Sequence, residues 1–211
     1  MRIAAVIFDF GNVICFPPAA EAIEQAAEHC GLTPEVFLRA FWTGRLAYDG
    51  GLDPREYWRG VGAAADRSFD DALIARMVNH EIGFWSRFDE RALQWIDELR
   101  ALGIRTGILS NLPQPLAERL RATPGFLEHF DHVTFSCELR LVKPQAAIYE
   151  DAVKGLHVRP NEALFLDDRE ENVEGARNVG MFAELYEEWG LFEEKIAPLY
   201  GLPLPGVARR Q

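Results

Sequence analysis

Short apolar runs that alternate with amphipathic helical patterns constrain this chain more than any other feature. The first run is Ile3–Phe8, and the later ones are IRTGIL, HVTFS, ALFL and MFAEL. Before IRTGIL, the stretch DERALQWIDELRALG places Leu93, Ile96, Leu99 and Leu102 on one face and stops at Gly103. PQPLAERLRA precedes HVTFS, PQAAIYEDAVKGL precedes ALFL, and ENVEGARNVG precedes MFAEL. Helix-then-strand repetition of this kind predicts an α/β fold, a Rossmann-like parallel sheet with helices on both faces, completed by the N-terminal strand.

One segment breaks the alternation. From about Pro17 to Phe84 every pattern is helical: AAEAIEQAAEHCG ends on Gly31, and TPEVFLRAFW opens with a Thr N-cap and Pro34. DPREYWRGV repeats that start signal with Asp53 and Pro54, and DDALIARMVNHEIG continues the helical spacing. The expected division is an α/β core from residues 1–15 and 86–200, an inserted helical unit at 16–85, and a loosely held tail at 201–211.

Composition narrows the partners. With 48% apolar residues in 211, the chain can bury a full core. Twenty-two Lys and Arg against 33 Asp and Glu give a formal charge of −11, which opposes attraction to nucleic acid or to an anionic membrane. Any anionic substrate then needs locally concentrated positive charge. No stretch is apolar for long enough to span a membrane. Cys15, Cys30 and Cys137 are too widely spaced for a zinc site, and their odd number suits a reducing cytoplasm.

In a parallel sheet of this kind ligands bind at the carboxyl ends of the strands. The residues there are Asp9, Ser110 with Asn111, Cys137 with Glu138, and Asp167 with Asp168, while Lys143 lies between the third and fourth strands in LRLVKPQ. Carboxylates, a lysine and small hydrogen-bonding groups converging on one crevice have the composition of a site for Mg²⁺ and phosphate.

This arrangement resembles the haloacid dehalogenase superfamily of phosphatases and dehalogenases, from Ile3 to about Trp189. The resemblance rests on four motifs in order: Asp9 in VIFDFGNVI, Ser110 in GILSN, Lys143 in LVKPQ, and the acidic loop FLDDREENVEGA. It implies that Asp9 is the nucleophile and, with the Gly11 carbonyl, Asp168 and Asp167, a ligand of Mg²⁺. It implies that Ser110 and Asn111 hold phosphate oxygens, that Lys143 offsets the charge of Asp9 and phosphate, and that Asn12 and Asn172 support the loops. The helical insertion looks like the family's mobile cap. Arg45, on the FWTGRLAYDGG turn between helices, is a candidate for a further anionic or hydroxylated group of the substrate. The implied substrate is a small phosphate ester, and the oligomeric state is not implied.

The chain departs from the family at Gly11. Most phosphatases of the superfamily carry a second Asp there, which protonates the leaving oxygen and later activates water. Its loss spares the metal site and removes a group worth roughly 10²–10⁴ in rate. Three readings compete. The chain resembles sugar-phosphate phosphatases with FD-x-GNV, in particular those acting on glucose 1-phosphate, whose anomeric leaving hydroxyl is more acidic. It could instead be a metal-independent 2-haloacid dehalogenase, or a catalytically silent phosphate-binding or partner-binding module. The pair Asp167-Asp168 favours a metal over the dehalogenase reading.

Overall fold

The computed structural model describes residues 2–204. Its centre is a five-stranded parallel sheet in the order β3-β2-β1-β4-β5: β1 is Ala5–Phe8, β2 Arg105–Ser110, β3 His132–Phe135, β4 Ala163–Asp167 and β5 Phe182–Leu185. Strand β1 lies in the middle, with Phe8 opposite Ile108 on one side and Leu166 on the other. Asp9 therefore leaves the sheet between the ends of β2 and β4, where the strand order reverses.

Eight helices follow the patterns described above, and two short ones, Arg45–Asp49 and Ser136–Leu139, are added to them. In the helical segment, α1 is Ala20–His29, α2 Pro34–Trp42, α3 Arg45–Asp49, α4 Pro54–Ala64 and α5 Asp71–Phe84. In the α/β part, α6 is Glu90–Ala101, α7 Gln114–Ala122, α8 Ser136–Leu139, α9 Ala146–Gly155 and α10 Glu170–Asn178. Thr33, Asp53, Asp70 and Asp89 cap α2, α4, α5 and α6 through their side chains, each accepting from a first-turn N–H.

Strand alternation divides the core. Val6, Phe8, Ile108, Leu164 and Leu166 face one way, against Leu93, Ile96 and Leu99 of α6 and Leu116 and Leu120 of α7. Ala5, Ile7, Leu109 and Phe165 face the other, against Ile148 and Tyr149 of α9 and Val173 of α10. The helical segment has a core of its own, built on Phe37, Phe41, Tyr48, Tyr57, Trp58, Ile74 and Met77. Of its aromatic residues, Phe16 and Trp42 stay exposed. The chain passes between this unit and the sheet at two adjacent places: Phe16 N–H donates to Arg87 O at 2.9 Å, and Arg87 Nη2 donates to Pro17 O at 3.1 Å.

Beyond β5 the chain packs more than its composition suggests. Trp189 and Phe192 set their rings edge-on to Trp95, with centroids 5.9 and 4.7 Å away. The segment expected to be loose begins packed, since Leu202 is buried and Trp95 Nε1 donates to Pro203 O at 2.9 Å. Residues 205–211 lie outside the described residues. All three cysteines are free and buried, and burial pushes the Cys15 thiol up to about 12, which makes it inert. Among the described residues no helix is long and apolar enough to cross a membrane.

Candidate active site

The loop after β1 fixes the first carboxylate. Ile14 and Cys15 N–H both donate to Phe10 O, and Asn12 N–H donates to Cys15 O at 2.8 Å, closing FGNVIC into a tight turn. Asn12 sits at φ 60, in the left-handed region that Asn tolerates better than most residues. That conformation sends its side chain across the strand ends, where Nδ2 donates to Asp168 Oδ2 at 2.7 Å.

Lys143 is the centre of charge. Its Nζ lies 2.9 Å from Asp9 Oδ1 and 2.6 Å from Asp167 Oδ2, and donates to Leu109 O at 3.1 Å. It is 2% exposed. Burial opposes its charge, but Asp9 and Asp167 outweigh burial and raise its pKa. Asn111 holds the lysine's backbone: its Oδ1 accepts from Lys143 N–H at 2.8 Å and its Nδ2 donates to Lys143 O at 3.1 Å. The Asn111 side chain is thus spent on positioning Lys143.

Asp167 is fully buried and is held from several sides. Besides Lys143, Asn172 Nδ2 reaches both its oxygens at 3.0 and 3.1 Å, and Arg169 N–H donates to Oδ1 at 2.9 Å. Tyr149 OH donates to Asn172 O at 2.8 Å and fixes the start of α10. Asn172 therefore holds the Asp167 carboxylate.

One oxygen from each of Asp9, Asp167 and Asp168 lies within 4.8 Å of the others. Three carboxylates against one ammonium leave the cluster negative. Burial pushes the Asp9 carboxyl up to about 7 against the pull of Lys143, and burial also raises Asp168. Asp9 Oδ1, although near Lys143, has no aligned hydrogen-bond donor. An all-oxygen donor set with surplus negative charge and an unsatisfied buried oxygen fits a hard divalent cation such as Mg²⁺.

Above these residues lies a pocket of about 110 Å³, lined by Asp9, Gly11, Asn12, Ser110 and Lys143 from the sheet side. Trp42, Arg45, Asp49 and Trp85 line it from the helical side. Arg45 differs from expectation: it starts helix α3, is 9% exposed, and pairs with both Asp49 and Glu81. Its charge is already matched by two buried carboxylates, so it is not a free anion receptor. Ser136, at the end of β3, ties the two sides together: its Oγ donates to Asp49 O at 2.6 Å and accepts from Leu112 N–H at 2.9 Å.

Asp49, Glu81, Trp85 and Ser136 carried no signal of a site in the sequence beyond the Arg45–Asp49 spacing of four. Conversely, His129 and His132 pair singly with Asp97 and Asp151 and form no metal site.

A glyceraldehyde 3-phosphate phosphatase from Methanopyrus kandleri is 33% identical over 194 residues, covering 85% of this chain and 82% of that protein. Bifunctional epoxide hydrolase 2 from Mus musculus is 24% identical over 232 residues, covering 97% of this chain. The chain spans only 40% of the length of that relative. Among solved structures, a HAD family enzyme from Bacteroides thetaiotaomicron superposes with a TM-score of 0.74 at 19% identity, over 95% of this chain and 99% of that one. Its wild-type complex with magnesium and inorganic phosphate gives 0.68 at 18% identity, over 88% and 94%. The haloacid dehalogenase-like hydrolase family matches residues 3–180, which takes in Asp9, Ser110, Lys143 and Asp168 together, and the chain belongs to it.

Proposed function

We propose that the chain is a Mg²⁺-dependent phosphatase that hydrolyses a small phosphomonoester, a sugar phosphate, through an aspartyl-phosphate intermediate. The observation that carries this reading is the convergence of Asp9, Asp167 and Asp168 around Lys143 at the strand ends. The Methanopyrus relative is a phosphatase by name, and the Bacteroides enzyme binds magnesium and phosphate, which supports the same reading.

In this reading an Asp9 oxygen attacks phosphorus, and the bond to the leaving oxygen breaks. Lys143 favours the ionised form of Asp9 and faces the incoming phosphoryl group. Ser110, buried and lining the pocket, donates its hydroxyl to a phosphoryl oxygen. Asn12 holds Asp168 in place, and Asn172 with Arg169 N–H holds Asp167. Asp9, Asp167, Asp168 and the Gly11 carbonyl would hold Mg²⁺, which would supply positive charge against that gathering on the transferred oxygens. Residues 16–85 act as a cap whose Trp42 and Trp85 shield the reacting group from water.

The test is phosphate release from a panel of sugar phosphates and an aryl phosphate, with Mg²⁺ or with EDTA, for the natural chain and for Asp9→Asn. Release that needs Mg²⁺ and disappears in the variant is expected. Release that persists in Asp9→Asn refutes the mechanism. Chloride release from 2-chloropropionate in EDTA, without phosphate release, would make the chain a dehalogenase instead.

A further inference from the structure

The position two residues after Asp9 poses a problem for the proposed chemistry, because Gly11 supplies no proton for the leaving oxygen. Its surroundings show why an Asp is not simply missing there. A Cβ built on Gly11 would lie 3.2 Å from Cζ3 and 3.6 Å from Cη2 of Trp85, so an indole ring fills the space a side chain would take. An acid must therefore enter the pocket from elsewhere.

Apart from the metal cluster, Asp49 is the one carboxylate among the residues lining the pocket. It closes helix α3, 6% exposed, and its Oδ1 lies 2.9 Å from Arg45 Nε, off the hydrogen-bonding direction. Arg45 also pairs through Nη1 with Glu81, which is 1% exposed and does not line the pocket. Two buried carboxylates thus share one guanidinium, which can neutralise only one of them. The other is stable in such surroundings when it carries a proton. Ser136 holds the backbone of Asp49 over the strand ends.

We propose that Asp49, reaching the pocket from the helical side, supplies the acid and base that Gly11 lacks. This rests on the phosphatase reading above. In the first step the Asp9 oxygen bonds to phosphorus, the bond from phosphorus to the leaving oxygen breaks, and the Asp49 proton passes to that oxygen. The products are the alcohol, aspartyl phosphate and an Asp49 carboxylate. In the second step that carboxylate takes a proton from water as the water oxygen bonds to phosphorus. The bond to Asp9 breaks, inorganic phosphate leaves, and Asp49 is protonated again.

The electrostatics around Asp49 agree. Burial raises its pKa most, with Arg45, then Lys143 and Arg169, opposing. Glu81 is raised by burial in the same way, and the Tyr48 and Tyr57 hydroxyls and the Cys137 thiol also face the cluster.

The experiment is kcat/KM for a series of phosphate monoesters from p-nitrophenyl to alkyl, with saturating Mg²⁺, for wild type, Asp49→Asn and Glu81→Gln. A proton donor matters most when the leaving oxygen is basic. Asp49→Asn is expected to lose roughly 10²–10⁴-fold on alkyl phosphates and at least about tenfold less on p-nitrophenyl phosphate. Glu81→Gln, which leaves Arg45 free to ionise Asp49, is expected to show the same pattern without touching the pocket. Equal losses across the series in Asp49→Asn would make Asp49 structural and overturn the proposal. The wild-type series is decisive even if the variants do not fold: a steep fall with leaving-group pKa means that no acid acts. Failure of wild type to release phosphate from any ester would remove the phosphatase reading as well, whereas release with uniform losses removes only the role of Asp49.

Discussion

Replacing Lys143 by Met tests whether the buried charge cluster is organised as described. The substitution keeps most of the apolar stem and removes an ammonium that touches Asp9 Oδ1 at 2.9 Å, Asp167 Oδ2 at 2.6 Å and Leu109 O at 3.1 Å. Breaking a buried ion pair by removing one partner costs roughly 3–5 kcal/mol, because the remaining charge is left in a poor solvent. In a chain of this size that corresponds to a fall in Tm on the order of 10 °C. The loss should also depend on pH. Lys143 is what pulls the Asp9 pKa down against burial, so without it Asp9 rises beyond about 7. In acid Asp9 is neutral and misses the lysine little, whereas in alkali its ionisation in the fold is costly. The stability difference between wild type and variant should therefore grow from pH 5 to pH 8. Urea unfolding in EDTA at both pH values measures it. A loss below about 1 kcal/mol, or one equal at the two pH values, would refute the reasoning.

In the metal-free protein, Asp9 with its raised pKa stabilises the fold when protonated and loses that contribution as pH rises from about 4 to about 7. The Tm gain on adding Mg²⁺ is accordingly expected to be larger at pH 8 than at pH 5, and calorimetry at the two values checks it. Gly11→Asp should destabilise by roughly 1–3 kcal/mol through the clash with Trp85, and Trp85→Ala in the same chain should relieve most of that clash in a double-mutant cycle. Asp70→Ala removes the side chain that accepts from Leu73 N–H at 2.7 Å, and should cost about 1 kcal/mol in urea unfolding without altering Mg²⁺ affinity.

The strands and the helices around them were legible because their signals are local. Period-two burial and Asp or Thr caps act within a few residues, so the placement of Asp9, Ser110 and Asp167 at strand ends followed from pattern alone. Asn111 was placed at the right strand end, but its partner lies 32 residues away, and no local pattern reveals that its side chain is spent on Lys143. Arg45 shows the limit more sharply. An arginine after Thr-Gly reads as an exposed turn, and only the docking of α5, which brings Glu81 from 36 residues away, makes a buried ion cluster of it. Trp85 over Gly11 is of the same kind, since a glycine in a sequence says nothing about which ring will cover it.

The paired crossings at Phe16–Pro17 and Arg87 have a mechanical consequence. Two adjacent backbone segments cross-linked by hydrogen bonds bend readily about the line across them and resist shear along their length. Residues 20–84 join the α/β part through this one pair of chain crossings, and also rest against it between α5 and α7 and between α3 and α8. The bond that Ser136 Oγ donates to Asp49 O is then one that any separation of the two parts would have to break.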